Sequence, residues 1–379
     1  MKTGNPGRRE DAGRPRVAVV MSGYGVVRRG AETMLAEILP RLEDRFEFHV
    51  FSRSGRDPGG VRRPAIPRSA VERLYMATTL GRKLLDTLFL DPIHVEWTSH
   101  LLLSLPALVR GRYRLIWHES GLWGGRILGL VRRLTGVRLF DFAHSSDPNW
   151  ELRFARLRPD AVATANPDLA DFLKQQVDGL RVEVVPPGVD CTRFHPDAAP
   201  ADLGVERPSG LVVGSLTPDK QPEIALEALS LAGIGAVVVG AGPLGEALDA
   251  AAERMFPPGR YRRIAVRRDE MPGVYTAADL VVLSSPQEGG PITAVEAMAC
   301  GRPMVTTDDP VRRLIVGDGG VLVADPTPLA FARAVREALD TDWNGRPRAQ
   351  AELFSIERQV RALGDLLAEL TGSAGKGRA

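Results

Sequence analysis

The sequence of residues 280–296 is LVVLSSPQEGGPITAVE, and it predicts a strand, a glycine turn and a helix in direct succession. The turn contains Gly289 and Gly290, which lack a Cβ and so let a ligand approach the backbone closely. The helix begins at the proline that follows, where unpaired N–H groups and the positive end of the helix dipole attract an anion such as a diphosphate. Glu288 and Glu296 flank that position, and their carboxylates accept hydrogen bonds from hydroxyls. Phosphates between hydroxyl groups are the chemistry of a nucleotide sugar.

Composition narrows the class of protein around this segment. The 379 residues carry 49 basic and 47 acidic side chains, a formal net charge of +2, which gives no sign of a nucleic-acid partner. Cys191 and Cys300 lie far apart without metal-ligand spacing, as is usual in a reducing compartment. No apolar run reaches the roughly 20 residues of a membrane span. We therefore expect a soluble, cytoplasmic protein that is at most peripheral to the inner face of the membrane.

Short apolar strands alternate with amphipathic helices along nearly the whole chain, which predicts parallel sheets covered by helices on both faces. The fold prediction is an α/β protein of two doubly wound, Rossmann-like domains that face a central cleft. Strands are predicted over residues 16–22, 46–51, 93–97, 115–118, 161–164 and 182–185 in the first half. In the second half they are predicted over 211–214, 236–240, 264–266, 280–283, 304–306 and 321–323.

Turn-forming residues over 197–209 predict the connection between the two domains. The predicted division is a disordered tail over 1–15, a first domain over 16–200, a second domain over 207–350, a helix over 351–371 and a disordered tail over 372–379. The helix is predicted to cross back to the first domain.

Two charged or polar residues follow strands at positions where open α/β sheets bind ligands. Lys220 follows the first strand of the second half and could neutralise charge on a departing diphosphate, or be a solvated loop lysine. His118 ends a strand of the first half and could bind a sugar hydroxyl or move a proton, or be satisfied by backbone. His100 and His144 are weaker candidates.

The run from Gly240 to Gly245 matches the glycine fingerprint of dinucleotide-binding proteins, so a nicotinamide-dependent dehydrogenase is an alternative. Pro243 removes an N–H from the turn that should hold the pyrophosphate. Two arginines, Arg267 and Arg268, precede the acid expected after the next strand. A tight strand-to-helix turn explains the glycines more simply.

Two further segments have both a functional and an ordinary interpretation. The loop over residues 22–32 enters a helix at Gly30 and could present amides to a phosphate, with Arg28 and Arg29 adding charge. The stretch over 126–134 is basic and amphipathic, so it could rest on an anionic membrane or be an ordinary surface helix.

Together these motifs resemble the retaining glycosyltransferases of the GT-B fold, the family 4-like group that carries an E-x7-E motif, here Glu288 to Glu296. The resemblance covers the second half nearly throughout and the first half at scattered points. It rests on seven motifs in the same order, at residues 30–32, 186–190 with Phe194 and Pro196, 214–220, 239–244, 275–279, 288–303 and 319–323.

The resemblance implies a role for each matching residue. Lys220 would hold the diphosphate with amides of Gly30, Ile292 and Thr293, and Glu296 would bind the ribose hydroxyls. Glu288, with amides of Gly289 and Gly290, would bind the transferred sugar, and His118 would lie beside it. Transfer would be metal-independent with retention of configuration, and the donor would be a nucleoside-diphosphate sugar, UDP in preference to GDP, with no other cofactor.

Three positions depart from the family pattern. Ser215 stands where an arginine is usual, Arg29 where the first of two glycines is common, and Gly290 where an aromatic residue is frequent. These departures leave the class unchanged, and the resemblance implies a hexosyltransferase that acts on a hydroxyl acceptor. The alternatives are the dehydrogenase and a catalytically silent nucleotide-sugar-binding protein.

Overall fold

A computed structural model describes residues 13–26, 30–55, 59–75, 82–83, 91–118, 121–145 and 147–372. The chain forms two compact units. The first unit contains the residues up to Asp141, those over 157–161 and those from Gly364 onward. The second contains residues 142–156 and 162–363. The predicted tails over 1–15 and 372–379, and Arg28 and Arg29, lie largely or wholly outside the described residues.

Within the described ranges, the first sheet has seven strands in the order β3-β2-β1-β4-β5-β6-β7. Val20, at the end of β1, lies opposite both Phe51 and His118, so β2 and β4 run parallel to β1 on either side. The strands are β1 Arg16–Val20, β2 Glu47–Ser52, β3 Gly60–Arg62, β4 Leu115–His118, β5 Arg138–Ala143, β6 Ala161–Thr164 and β7 Val182–Val184. The helices are α1 Gly30–Ile38, α2 Arg68–Tyr75, α3 Pro92–Arg110, α4 Gly121–Thr135, α5 Pro148–Ala155 and α6 Pro167–Gln176.

The strand predicted over residues 93–97 is wrong, because these residues form the start of α3. The side chain of Asp91 caps this helix by accepting hydrogen bonds from the amides of Ile93 and His94, at 2.9 and 3.2 Å. Proline at the first helical position fits the same start. The buried residues Glu96, His100 and Ser104 recur every four positions, which is a helical rather than a strand period.

The second sheet has six strands in the order β10-β9-β8-β11-β12-β13, all of them parallel. The strands are β8 Ser209–Val213, β9 Gly235–Val239, β10 Tyr261–Ile264, β11 Leu280–Leu283, β12 Met304–Thr307 and β13 Gly320–Val323. The helices are α7 Pro222–Ala232, α8 Gly245–Met255, α9 Met271–Ala277, α10 Ile292–Ala299, α11 Pro310–Val316 and α12 Pro328–Asp340. The order reverses between β8 and β11, which is where such sheets bind ligands.

Alternate residues of the second sheet pack into two separate cores. Leu211 and Val281 belong to one core, while Val212, Leu280 and Val282 belong to the other. Helices therefore cover both faces of the sheet, and its strands are apolar along their whole length. The predicted architecture of two doubly wound α/β halves is confirmed. Among the described residues, no helix is long and apolar enough to cross a membrane.

The C-terminal segment consists of two helices, α13 Arg346–Glu352 and α14 Ile356–Thr371, where the sequence predicts one. The break coincides with a bridge between Val189 and Ser355, since the Val189 amide donates to Phe354 at 2.9 Å. The end of α14 belongs to the first unit, where the guanidinium of Arg138 donates to the carbonyls of Glu369 and Leu370.

Candidate functional site

Lys220 and Glu288 form an ion pair at the point where the strand order of the second sheet reverses. Lys220 follows β8, and Glu288 follows the neighbouring strand β11. The ammonium Nζ lies 2.9 Å from Oε1 and 2.8 Å from Oε2 of Glu288, so both carboxylate oxygens accept from one cation. The parallel register brings together two residues that are 68 positions apart in sequence.

Local geometry fixes the position of Lys220. A short 3-10 turn over Pro218–Lys220 ends at Gln221, whose φ of 46° turns the chain into α7. Ser284, directly after β11, donates its hydroxyl to the Gln221 carbonyl at 2.6 Å. The lysine is thus tied to the strand that leads to its partner.

A second group of residues holds Glu288 from the protein interior. The Ser285 hydroxyl donates to Glu288 Oε1 at 2.7 Å, and the Arg312 guanidinium donates to the Ser285 hydroxyl at 2.7 Å and to its carbonyl at 2.9 Å. Arg312 is 0% exposed and pairs with Asp309, which also caps α11. Burial lowers the pKa of Arg312, and the charges of Asp309 and Glu288 oppose that shift.

The sequence prediction missed Ser285, Asp309 and Arg312. Asp309 followed by proline is a recognisable helix start, and an arginine three residues after an acid is a common pair. Nothing in the sequence distinguishes Arg312 from its exposed neighbour Arg313, because only the packing of α11 decides which one is buried.

Glu296 lies in the second turn of α10 and is 2% exposed. The buried phenol of Tyr275 donates to its Oε2 at 3.0 Å, and Arg268 forms an ion pair with its Oε1. Burial, and after it the charge of Glu296, raises the pKa of Tyr275. The carboxylate predicted to bind hydroxyls is therefore already paired in this structure.

The two glycines of the turn are packed against protein backbone and side chain. A Cβ on Gly289 would lie 2.1 Å from the carbonyl oxygen of His144, and one on Gly290 would lie 2.8 Å from the Cβ of Ala165. Close packing is thus sufficient reason for both glycines. Among the residues that the structure describes, no side chain caps the N-terminus of α10, which begins at Ile292 and Thr293.

The glycine fingerprint in the second unit is also a packing feature. A Cβ on Gly240 would lie 1.8 Å from the carbonyl oxygen of Gly214, and one on Gly242 would lie 2.3 Å from that of Leu216. The Leu216 amide donates to the Ala241 carbonyl at 3.0 Å across this contact. Ser215, which stands on the same turn after β8, is exposed.

His118 belongs to the first unit, where it is the last residue of β4 and is buried. Its Nδ1 has no hydrogen-bond partner among the residues that the structure describes. Burial lowers the pKa of His118 to about 4, so its imidazole is neutral at pH 7. Gly30 is the first residue of α1 in the same unit.

The weaker histidine candidates have structural contacts. His100 is buried and its Nε2 lies 3.0 Å from the carbonyl of Phe51, while the ring of His144 stacks on Phe142 at 4.6 Å. No cluster of three or more histidine, cysteine or acidic side chains that could hold a metal ion occurs in the described ranges.

Two family descriptions cover most of the chain. Residues 200–352 match Glycosyl transferases group 1, and residues 28–193 match Glycosyltransferase Family 4. The chain belongs to the group 1 glycosyltransferases. A D-inositol 3-phosphate glycosyltransferase of Mycolicibacterium gilvum is 35% identical to it over 204 residues, which cover 49% of this chain and 46% of the relative. The chain thus spans about half the length of that curated relative.

Solved structures agree with the fold of this group 1 glycosyltransferase. Sucrose-phosphate synthase from Thermosynechococcus elongatus has a TM-score of 0.72 at 19% identity, covering 95% of this chain and 100% of that one. HepE from Anabaena, in complex with UDP and glucose, has a TM-score of 0.69 at 17% identity, covering 94% and 100%. The predicted GT-B fold and glycosyltransferase family are confirmed, and the family places the chain among glycosyltransferases rather than dehydrogenases.

Proposed function

We propose that this group 1 glycosyltransferase moves a sugar from a nucleoside-diphosphate sugar to a hydroxyl acceptor, with retention of configuration and without a metal ion. The ion pair of Lys220 and Glu288 at the strand reversal carries the proposal. Glu288 precedes α10 closely in sequence, and among the described residues no side chain caps the N-terminus of that helix, which supports an anion site there. A diphosphate needs the cation and the helix amides, and a sugar needs the carboxylate.

Each residue then has a task in the reaction. Lys220 and the amides of Ile292 and Thr293 stabilise the negative charge that develops on the leaving diphosphate. Glu288, with amides of Gly289 and Gly290, binds the hydroxyls of the transferred sugar.

The Glu296 carboxylate releases Arg268 and accepts hydrogen bonds from the ribose hydroxyls in its place. His118, neutral at pH 7, binds a sugar hydroxyl through a ring nitrogen. Amides at the Gly30 end of α1 add to the diphosphate site. The bond between the anomeric carbon and the diphosphate oxygen breaks, and the leaving phosphate accepts the proton of the attacking hydroxyl. The hydroxyl oxygen bonds to the anomeric carbon on the face from which the diphosphate departs, so the configuration is retained.

The donor proposed is a UDP-sugar in preference to a GDP-sugar. The HepE structures of the same fold contain UDP or UDP-glucose, which supports the choice of base. Ser215 supplies no charge where an arginine is usual, so Lys220 carries a larger share of the phosphate binding in this chain.

Calorimetric titration with UDP, GDP and NAD, in EDTA and again in magnesium, tests the class of ligand. We expect UDP to bind equally well in both buffers and NAD not to bind. Binding of NAD alone would support the dehydrogenase. A magnesium requirement would contradict metal independence, and UDP binding without turnover would identify a silent nucleotide-sugar-binding protein.

Substitution of the ion pair tests the site. Glu288→Ala should abolish UDP release from UDP-glucose with water as acceptor, because the sugar loses its carboxylate. Lys220→Ala should cost about 3 kcal/mol of transition-state stabilisation, a decrease in rate of about 100-fold. Asp249→Ala is the matched control, since it breaks the ion pair with Arg263 elsewhere in the same unit. Turnover within twofold of wild type in either site variant would contradict the assignment.

Helix α4 supplies a candidate contact with an anionic membrane. Arg126, Leu130, Arg133 and Leu134 are exposed and follow a helical spacing, so they share one face. Leu130 is 57% and Leu134 is 73% exposed. The helix contains no acidic residue. An exposed apolar and basic face without acids complements a surface of anionic lipid.

Sedimentation with vesicles that contain about a third phosphatidylglycerol tests this contact. We expect binding that falls at high salt and falls at least tenfold in Leu130→Ser/Leu134→Ser, because two apolar side chains leave the lipid. The control Leu329→Ser/Leu353→Ser changes leucines of similar exposure in the second unit. Equal binding of both double variants would rule out α4 as the contact.

A further inference from the structure

We infer that Arg312 is a positioning residue for the sugar-binding carboxylate Glu288, acting through the hydroxyl of Ser285. The inference rests on the proposed function of Glu288 and adds to it a residue that does not touch the substrate. Its basis is the continuous series of contacts from Asp309 through Arg312 and Ser285 to Glu288 and Lys220.

The direction of these hydrogen bonds is fixed by chemistry. A guanidinium has no acceptor, so the bond between Arg312 and the Ser285 hydroxyl must be accepted by the serine oxygen. The single hydroxyl proton is then left for Glu288 Oε1, at 2.7 Å. Arg312 thereby orients the serine as a donor towards the carboxylate, and its second bond, to the Ser285 carbonyl, holds the backbone of the same residue.

The arrangement also keeps Glu288 beside a positive charge when Lys220 changes partner. In the unliganded structure both Glu288 oxygens accept from Lys220. In the proposed reaction, Lys220 leaves Glu288 for the diphosphate. Arg312 is buried, is held by Asp309 and faces away from solvent, so it stays in place and retains the carboxylate geometry.

An arginine with several protein partners can also serve structure alone, and the partly buried Arg348 shows that case in the same unit. Its guanidinium donates to the carbonyls of Cys191, Phe194 and Ala299, and its Nε pairs with Glu352. None of these contacts leads to Glu288. Arg348→Lys is therefore the matched control for Arg312→Lys, because both keep the charge and lose the planar group of donors.

The experiment compares UDP with UDP-glucose as calorimetric probes, since the difference between their affinities reports the sugar contact. Arg312→Lys and Ser285→Ala should each weaken UDP-glucose binding by about tenfold, the loss of one hydrogen bond to a charged group. UDP binding should change less than twofold. The double variant should lose no more affinity for UDP-glucose than the more strongly affected single variant, because both substitutions act through one contact.

Hydrogen exchange of the amides between Ser285 and Gly290, measured without ligand, gives a readout that does not depend on the proposed function. Both variants should exchange faster there than wild type and Arg348→Lys. Additive losses, or a pattern equal to that of Arg348→Lys, would overturn the inference. If Arg312→Lys does not fold, Ser285→Ala decides by the same two measurements. If wild type binds neither probe, the proposed function fails and the exchange result alone decides.

Discussion

Glu288 and Glu296 have different surroundings although only eight positions separate them. Glu288 is partly accessible and pairs with the partly exposed side chain of Lys220. Glu296 is enclosed by Tyr275 and Arg268. A buried carboxylate costs free energy unless its oxygens are paired, so removing Arg268 alone would leave Glu296 with an uncompensated charge. A ligand that displaces Arg268 must supply equivalent hydrogen bonds, as ribose hydroxyls do.

At the same scale, the buried His118 should make the free energy of unfolding depend on pH. Its folded pKa of about 4 lies below the ordinary value of 6.5, because burial disfavours the charged ring. Between these values the unfolded chain binds a proton that the folded chain does not. Lowering the pH from 6.5 to 4 should therefore decrease the free energy of unfolding, by up to about 3 kcal/mol from this residue.

Urea denaturation of wild type and His118→Gln between pH 7 and pH 4.5 measures the effect. The difference in unfolding free energy between the two proteins should narrow or change sign as the pH falls, since glutamine does not titrate. A difference that stays constant across this range would show that His118 is not neutral and buried in solution.

At the scale of elements, two glycines differ in their surroundings: one is packed closely against backbone and the other has open space beside it. Gly240 closes the turn after β9 against the backbone of Gly214. Gly129 lies inside α4, and no atom of the described residues outside the local helix lies within 4 Å of the place that a Cβ would take. The first glycine is required by its surroundings, whereas the second only weakens a helix.

Alanine at these two glycines should have opposite effects. Gly129→Ala should stabilise the protein by up to about 1 kcal/mol, the difference in helix propensity. Gly240→Ala should destabilise it by more than about 1 kcal/mol, because the new methyl group meets a backbone carbonyl that cannot rotate away. Thermal unfolding of both variants checks the signs, and a stabilised Gly240→Ala would contradict the packing of this turn.

At the scale of the whole molecule, the chain returns to its first unit after completing its second. The residues of α14 from Gly364 onward count with the first unit, and Leu366, Leu367 and Leu370 are buried there. Asp365 pairs with Arg45 at 2.9 Å. The first unit therefore includes residues from the opposite end of the sequence.

Leu367→Ala should destabilise the first unit by about 2–5 kcal/mol, the range for a leucine deleted from a packed core. Hydrogen exchange should increase in β5, whose Arg138 binds the end of α14, and less in β8 to β13. Leu353→Ala, at an exposed leucine of the same C-terminal segment, should change stability by less than about 0.5 kcal/mol. Equal effects of the two substitutions would contradict the burial of Leu367.

The sequence by itself determined the alternation of strands and helices, the second sheet and the segment that contains Glu288 and Glu296, because periodicity and turn residues act locally. It misassigned residues 93–97, where apolar and polar residues alternate as in a strand but lie inside a capped helix. It indicated Lys220 as a candidate for holding the diphosphate but not its ion pair with Glu288, and it gave no sign of Ser285 or Arg312.

Tertiary structure decided the contacts between those residues. The register of β8 beside β11 brings Lys220 to Glu288, and the packing of α11 turns Arg312 rather than Arg313 inward. It also decided that the glycines meet backbone carbonyls and that Glu296 is paired with Arg268. Such contacts join residues tens of positions apart, and their energies depend on burial and charge pairing, which a local pattern of residues does not contain.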